Sequence, residues 1–314
     1  MRRAGLLIAL ASAGCFAFSG PMAKYLAAAG LAPLESVWVR MAGAGLLLVG
    51  VLAFFRPRAL RIPRSRLPFF AAYAVIAVAG VQALYFAALT RLPVGVTLLI
   101  EYTSPVLVVL WVRFVRRVRL PRAAFVGAVV AVIGLGIVVE IWSGLSLDPV
   151  GLLLAVCAAV CCAGYFLLSD GFGDDVDPLG LIGWGLLGSA LVLLPISQPW
   201  NIPWEAFTRT VAPGSGYALP ASAAVILLIV VGTVAAYILG VTAVRRLSAA
   251  IGSTVASIEV VAGAVIAWIM IGEALGPFQI VGGVIVLFGA YLAQRVTAAL
   301  PVAVPEGREP ARAV

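Results

Sequence analysis

The chain of 314 residues is 63% hydrophobic and only 11% charged, where an ordinary soluble domain carries roughly 25% charged residues. It cannot coat a water-facing surface with polar groups, so it reads as an integral membrane protein, and disordered, collagen-like and disulfide-scaffold classes are excluded. Histidine is absent, which removes Ser-His-Asp and Cys-His catalysis, histidine metal sites and histidine pH switching.

A membrane-crossing helix needs about 20 mostly apolar residues. Ten stretches qualify, at about 5–26, 34–55, 68–89, 93–113, 121–141, 149–169, 178–198, 220–243, 248–270 and 277–296. Eight begin at or near a proline: Pro33, Pro68, Pro93, Pro121, Pro149, Pro178, Pro220 and Pro277. Proline suits the first helical turn, where its missing N–H has no intrahelical partner. The ninth starts at Leu247-Ser248-Ala249, with Ser248 as candidate N-cap. Arg2-Arg3 before an apolar run imitates a secretory signal, and Ser12-Ala13-Gly14-Cys15 a lipoprotein cleavage site. The run continues through Phe18 and more spans follow, so it reads as a retained first helix. Cys15, Cys157, Cys161 and Cys162 all lie in apolar runs and read as free core thiols.

Net charge is +8. With the N-terminus in the cytoplasm, every basic residue except Lys24, Arg40, Arg91 and Arg209 falls on the cytoplasmic side. The positive-inside rule then places both termini in the cytoplasm, which needs an even number of spans. The 6–7 connection is acidic (Asp170, Asp174, Asp175, Asp177), but acids carry little topological weight. The longest external loop, 197–219, holds Trp200, Trp204, Phe207 and Tyr217, residues suited to interfacial anchoring or to a lid.

The chain repeats itself. Leu92-Pro93-Val94-Gly95-Val96 stands 155 residues before Leu247-Ser248-Ala249-Ala250-Ile251. The same offset carries Gly127 onto Gly282, Leu120 onto Leu275, and Ser104-Pro105-Val106 onto Glu259-Val260-Val261; Ala32-Pro33-Leu34 maps onto Asp177-Pro178-Leu179 at 145. Persistence over several helices gives the weak similarity its weight. Five spans per half is an odd number, so the second half enters from the opposite side. The expected fold is an all-α membrane protein of ten transmembrane helices arranged as two inverted five-helix repeats, 1–141 and 149–296, with a cytoplasmic tail, 297–314. Inverted repeats are a recurring transporter architecture, with substrate near the midplane between them.

Several stretches resemble the paired EamA-type domains of the drug/metabolite transporter superfamily. They are Met22-Ala23-Lys24, Trp38-Val39-Arg40-Met41, and Leu92-Pro93-Val94-Gly95 through Glu101-Tyr102-Thr103-Ser104-Pro105; then Leu247-Ser248-Ala249-Ala250, Ser257-Ile258-Glu259-Val260, Gly272-Glu273-Ala274-Leu275 and Gln279-Ile280-Val281-Gly282-Gly283. The resemblance spans about 5–296 and implies a ten-helix secondary transporter of the cytoplasmic membrane, exporting amino acids, metabolites or toxic organic compounds. Two departures stand out. The family's Gly-Glu before the last span of each half is present at Gly272-Glu273 but is Arg117-Val118 in the first half. Its Glu-Pro in the ninth span is Glu259-Val260.

Glu101 and Glu259 fall well inside spans, where an ionised side chain costs about 3 kcal/mol on insertion scales. Each is a candidate proton- or substrate-binding group, or else a buried carboxyl satisfied by neighbouring helices. Ser104 shares a helix face with Glu101, and Pro105 frees the Glu101 carbonyl, giving a polar notch or merely a kink. Lys24 and Arg40 are candidate counter-ions to Glu101 or receptors for a substrate carboxylate, and Lys24 could equally snorkel to the interface. Trp38, Gln82, Tyr85, Tyr165, Trp184 and Tyr237 could line a cavity.

There is no Walker A sequence or phosphate-binding βαβ loop. The reading is a non-enzymatic secondary transporter without a cofactor, an exporter of amino-acid-like metabolites or organic cations, acting in the cytoplasmic (inner) membrane as monomer or homodimer. Its partners would be a small-molecule substrate and the lipid bilayer, with protons as a further candidate, and no nucleic acid. The alternative is an integral membrane enzyme acting on lipids, for which the only acid cluster is Asp174-Asp175-Val176-Asp177.

Overall fold

The computed structural model describes residues 2–117, 121–138, 140, 147–169, 176–214, 216–246 and 249–297. The Ser248 cap, Asp170, Asp174, Asp175, Val118, Arg119 and the tail from 298 lie outside the described residues. In chain order the helices are α1 (Arg2–Ala17), α2 (Ser19–Ala28), α3 (Pro33–Phe55), α4 (Leu67–Ala72), α5 (Val81–Leu89), α6 (Val94–Glu101) and α7 (Ser104–Phe114). They continue as α8 (Arg122–Val138), α9 (Pro149–Ser169), α10 (Pro178–Ser197), α11 (Ala221–Ile229), α12 (Ala236–Arg246), α13 (Ala249–Ile271) and α14 (Pro277–Thr297). Among the described residues, seven helical segments are long and apolar enough to cross a membrane: 7–28, 33–55, 64–89, 94–114, 149–168, 178–197 and 221–240. Three further apolar stretches, Arg122–Val138, Glu259–Ile271 and Pro277–Leu292, are shorter.

The helix starts follow from local chemistry. Pro33 opens α3, and the Glu35 carboxylate accepts from Ala32 N at 2.8 Å. Asp148 and Asp177 cap α9 and α10 through Gly151 N at 2.7 Å and Leu179 N at 2.9 Å. Several features go beyond the sequence reading, which expected only a notch or kink at Pro105 in the fourth span. The first span breaks at Phe18 between α1 and α2, and the fourth between Glu101 and Ser104. Two segments, Tyr73–Gly80 between α4 and α5 and Val230–Ala235 between α11 and α12, are wound as π-helix. They stand 157 residues apart at their starts and 155 at their ends. The connection between α10 and α11 also carries a two-stranded antiparallel pair, β1 (Thr210–Val211) and β2 (Leu219–Pro220), a small departure from all-α.

Packing follows a reciprocal pattern. The pairs α3–α10 and α8–α14 each join one helix from either half of the chain. Helix α1 packs on α12 and α13, while α9 packs on α5 with its π segment and on α6 and α7. Lipid is as apolar as leucine, so helices associate in it through close approach of small residues rather than through the hydrophobic effect. At α8–α14 a Cβ on Gly134 would lie 2.6 Å from Val286 N and 2.8 Å from the Gly282 carbonyl oxygen, so the two backbones touch where the glycines meet. The core, with Met22, Leu26, Met41, Leu48, Phe86 and Leu228, runs between both halves. Outward faces expose Phe54, Val129, Ile133, Leu153, Val160 and Val265, a surface only lipid would cover well.

Candidate functional site

Arg40 sits on α3 seven residues, about 10 Å, from its first residue. It is 2% exposed, and its guanidinium ties both halves of the chain together. Nε donates to Thr233 Oγ1 at 2.8 Å, Nη1 to Gln82 Oε1, and Nη2 to Ser19 Oγ at 3.2 Å and the Gly232 carbonyl at 3.3 Å. Ser19 passes its own proton to Gly232 O at 3.1 Å and Thr233 passes its own to Leu228 O at 2.8 Å, so both hydroxyls turn lone pairs toward the arginine. Gly232 and Thr233 belong to the second π segment, and such segments expose backbone acceptors that a regular helix would consume. The Phe86 ring lies 5.4 Å from Arg40 Cζ. Every hydrogen-bonding partner named here is neutral. Among the described residues no carboxylate lies within ion-pair distance of Arg40, although Glu101 and Glu259 lie within its electrostatic reach.

Those two carboxyls lie within electrostatic reach of each other where α6 packs on α13. Glu259 Oε2 accepts from the Tyr102 hydroxyl at 2.8 Å, a bond linking the broken fourth span to α13. Glu101, the last residue of α6, has no hydrogen-bond or ion-pair partner among the described residues, and both acids are half-buried. One cation and two acids thus share the region where the halves meet. An uncompensated buried charge is costly, whatever neutral groups surround it.

Two family-model matches to this chain, residues 3–140 and 149–294, are to the EamA-like transporter family. The chain belongs to that family. It is a multi-pass membrane protein with two EamA-like domains. The threonine/homoserine exporter RhtA of Escherichia coli (strain K12) is 29% identical over 256 residues, covering 80% of this chain and 78% of that protein. The protein of that name from Salmonella typhimurium (strain LT2) is 29% identical over 234 residues, covering 73% and 72%. A solved crystal structure aligns with TM-score 0.60 over 94% of this chain and 98% of its own, at 20% identity, which shows a shared fold alone.

Within this EamA-like chain the remaining candidate residues scatter. Tyr85 is buried close to Gly20 and Val94, near the Arg40 network. Tyr237 packs edge-on against Phe16, ring centroids 5.0 Å apart. Ser104 donates to Cys162 Sγ at 3.3 Å rather than joining Glu101 in a notch. Trp38 donates to the Ala190 carbonyl and so serves the α3–α10 contact, while Trp184 of α10 donates to the Leu60 carbonyl in the α3–α4 connection, both at 3.0 Å. Asp177 is occupied as a helix cap and lies 3.7 Å from Arg56 Nη2, which gives the acid cluster a structural use at that residue. Lys24 does not pair with Glu101: its Nζ lies 2.9 Å from Glu273 Oε1 and donates to Leu92 O at 2.9 Å. Glu273, in the Gly272-Glu273 motif, is a site residue that sequence reasoning left out. Ser19, Thr233 and the Gly232 carbonyl are others; the signal for Ser19 and Thr233 was a lone hydroxyl within an apolar run, and Gly232 gave none.

Proposed function

We propose that this chain is a secondary active exporter of small amino-acid-like metabolites across the cytoplasmic membrane, working by alternating access. Ten spans form two inverted five-helix repeats, 1–141 and 149–296, with both termini and the 297–314 tail in the cytoplasm. The reciprocal packing supports a two-fold relation between the halves, since an axis that exchanges them would send the α1–α12/α13 contact onto α9–α5/α6/α7 and keep α3–α10 and α8–α14 as self-paired; five spans per half make that relation an inversion. The matched π segments point the same way. Relatives named as threonine/homoserine exporters support the substrate class.

The observation that carries the reading is Arg40, a buried cation held by both halves through neutral groups, with Glu101 and Glu259 within reach. A zwitterion would place its carboxylate at Arg40 and its ammonium at an acid, and a proton could occupy the acid between cycles. Lys24, Tyr85, Trp38, Ser104 and Tyr237 are the outlying members of this candidate site.

The test is counterflow in proteoliposomes of the purified chain, with L-threonine, homoserine and an organic cation, with and without a pH gradient. Saturable flux of a solute supports the proposal, and acceleration by the pH gradient supports proton coupling. No flux of any probe, together with turnover of lipid, would overturn it in favour of a membrane enzyme.

A further inference from the structure

Lys24, an outlying member of the candidate site, forms with Glu273 and Ser36 a group apart from Arg40, Glu101 and Glu259. One Glu273 carboxylate holds three chain segments: Oε1 lies 2.9 Å from Lys24 Nζ near the end of α2, and Oε2 accepts from Val94 N, the first residue of α6, at 2.8 Å. Glu273 itself follows the end of α13, where Gly272 turns the chain at φ +73°. The contact therefore closes the second half onto the first at the ends of these helices farthest from the arginine-rich connections. Beside it the Tyr25 hydroxyl bonds the carbonyls of Tyr217 and Met270, drawing the external loop over the same end. The ion pair is partly exposed, with side-chain accessibilities of 19% and 25%. A pair of that exposure is weak enough to open and close.

Directly behind it lies a cavity of about 10 Å³, room for one water, lined among others by Lys24, Ser36, Phe86 and Thr90. Ser36 is 2% exposed, and its Oγ has no hydrogen-bond partner among the described residues. It stands four residues before Arg40 on α3, hence on the same face and one turn nearer the gate. Phe86 touches both places, lining the cavity and lying against the Arg40 guanidinium. Arg40, the unpaired Ser36 hydroxyl and the Lys24 ammonium make a ladder of donors leading outward.

We infer that the Lys24–Glu273 pair is the outer gate, and that the Ser36 cavity, widened beyond its one-water size when the pair parts, becomes a station for a carboxylate that displaces Glu273 from Lys24. This rests on the exporter reading for direction, but not for chemistry. Glu273 is itself a carboxylate, so a departing solute carboxylate presents the same group to the same ammonium and competes with it atom for atom.

The test uses the full chain in proteoliposomes, with Cys15, Cys157, Cys161 and Cys162 replaced by alanine and Ser36→Cys as reporter. A membrane-impermeant maleimide is added on the side away from the arginine-rich loops. Ser36→Cys should label slowly; adding Glu273→Gln, which keeps an acceptor for Val94 N, should speed labelling about fivefold, the shift expected from losing a pair of this exposure. Lys24→Met should do the same, which guards against a folding defect peculiar to one variant. Sodium propionate should speed labelling of the parent, whereas sodium chloride at equal ionic strength should not. Labelling unchanged in both gate variants overturns the gate, and equal acceleration by chloride overturns the carboxylate station. Fast labelling in the variants with no solute flux in the wild type would leave the gate standing and remove the exporter reading instead.

Discussion

Glu259→Gln separates charge from packing at the centre of the proposed site. Glutamine has nearly the same volume and keeps a carbonyl that can accept from the Tyr102 hydroxyl, now 2.8 Å from Glu259 Oε2. A hydrogen bond to a charged acceptor contributes about 1.5–3 kcal/mol and a neutral one about 0.5–1.5, so the exchange should cost no more than about 1.5 kcal/mol of stability. The variant should elute as a single species with a slightly lower Tm. Transport asks more of this residue. A charge near the bilayer centre involves about 3 kcal/mol, which at 1.4 kcal/mol per decade is more than a hundredfold in rate or affinity. Counterflow should therefore fall by at least about two decades in Glu259→Gln. Tyr102→Phe is the complementary variant, because it removes the bond and leaves the acid; it should lower Tm more and flux less. Wild-type flux in a well-folded Glu259→Gln protein would refute the role assigned to the acid.

Arg40→Lys keeps the charge but loses the planar fork that reaches Ser19, Gln82, Gly232 and Thr233 together; counterflow should drop at least about tenfold, since one charge-assisted bond alone is worth about 1.5–3 kcal/mol, and unchanged flux would show that the point charge suffices. Gly282→Val should push α8 and α14 apart, because a Cβ there already lies 2.7 Å from Gly134 O and Val138 N; size-exclusion chromatography in detergent should show aggregation, and a monodisperse variant of wild-type Tm would contradict the close contact. Asp148, outside the spans, is held below the usual carboxylate range chiefly by the Gly151 N–H, against an opposing desolvation, with the Arg91 guanidinium adding to the lowering. A depressed folded value means stabilisation that is present above the unfolded value of about 3.9 and fades as pH falls through the folded one. Asp148→Ala should accordingly lower Tm at neutral pH, with the gap closing below about pH 4; a gap that persists into acid would rule out the ionised cap.

The spans were legible because the membrane imposes one length and proline marks the first turn: the starts at Pro33, Pro149, Pro178 and Pro277 match those observed. The buried ionisable residues were legible for the same reason, since Arg40, Glu101 and Glu259 are expensive where they stand. Their partners were not. The Arg40 acceptors come from residues 19, 82, 232 and 233, and no local pattern ties positions that far apart. Lys24 was assigned to the wrong neighbourhood because proximity in span depth was the only guide, whereas a reversal at Gly272 brings Glu273 to it. The π segments were invisible for a different reason: a wider helical turn keeps the same apolar composition, and Val230–Ala235 carries nothing that distinguishes it from a regular helix.

The placement of those π segments bears on how one sequence could hold two states. Both lie in the third helical stretch of their half, and the second is hydrogen-bonded to a charged side chain, Arg40. The first packs instead on α9 and α10, where Gly80 stands close to Cys161. Two halves of similar architecture therefore differ where chemistry enters: Ser19 and Arg40 face the second π segment, and a cysteine and apolar neighbours face the first. A device that must open to either side needs two similar wells, but a coupled one needs a single charged site. On the proposed alternating-access reading, a backbone feature present in both halves with the arginine in one meets both needs, and Gly232-Thr233 is the part of the second half in contact with Arg40.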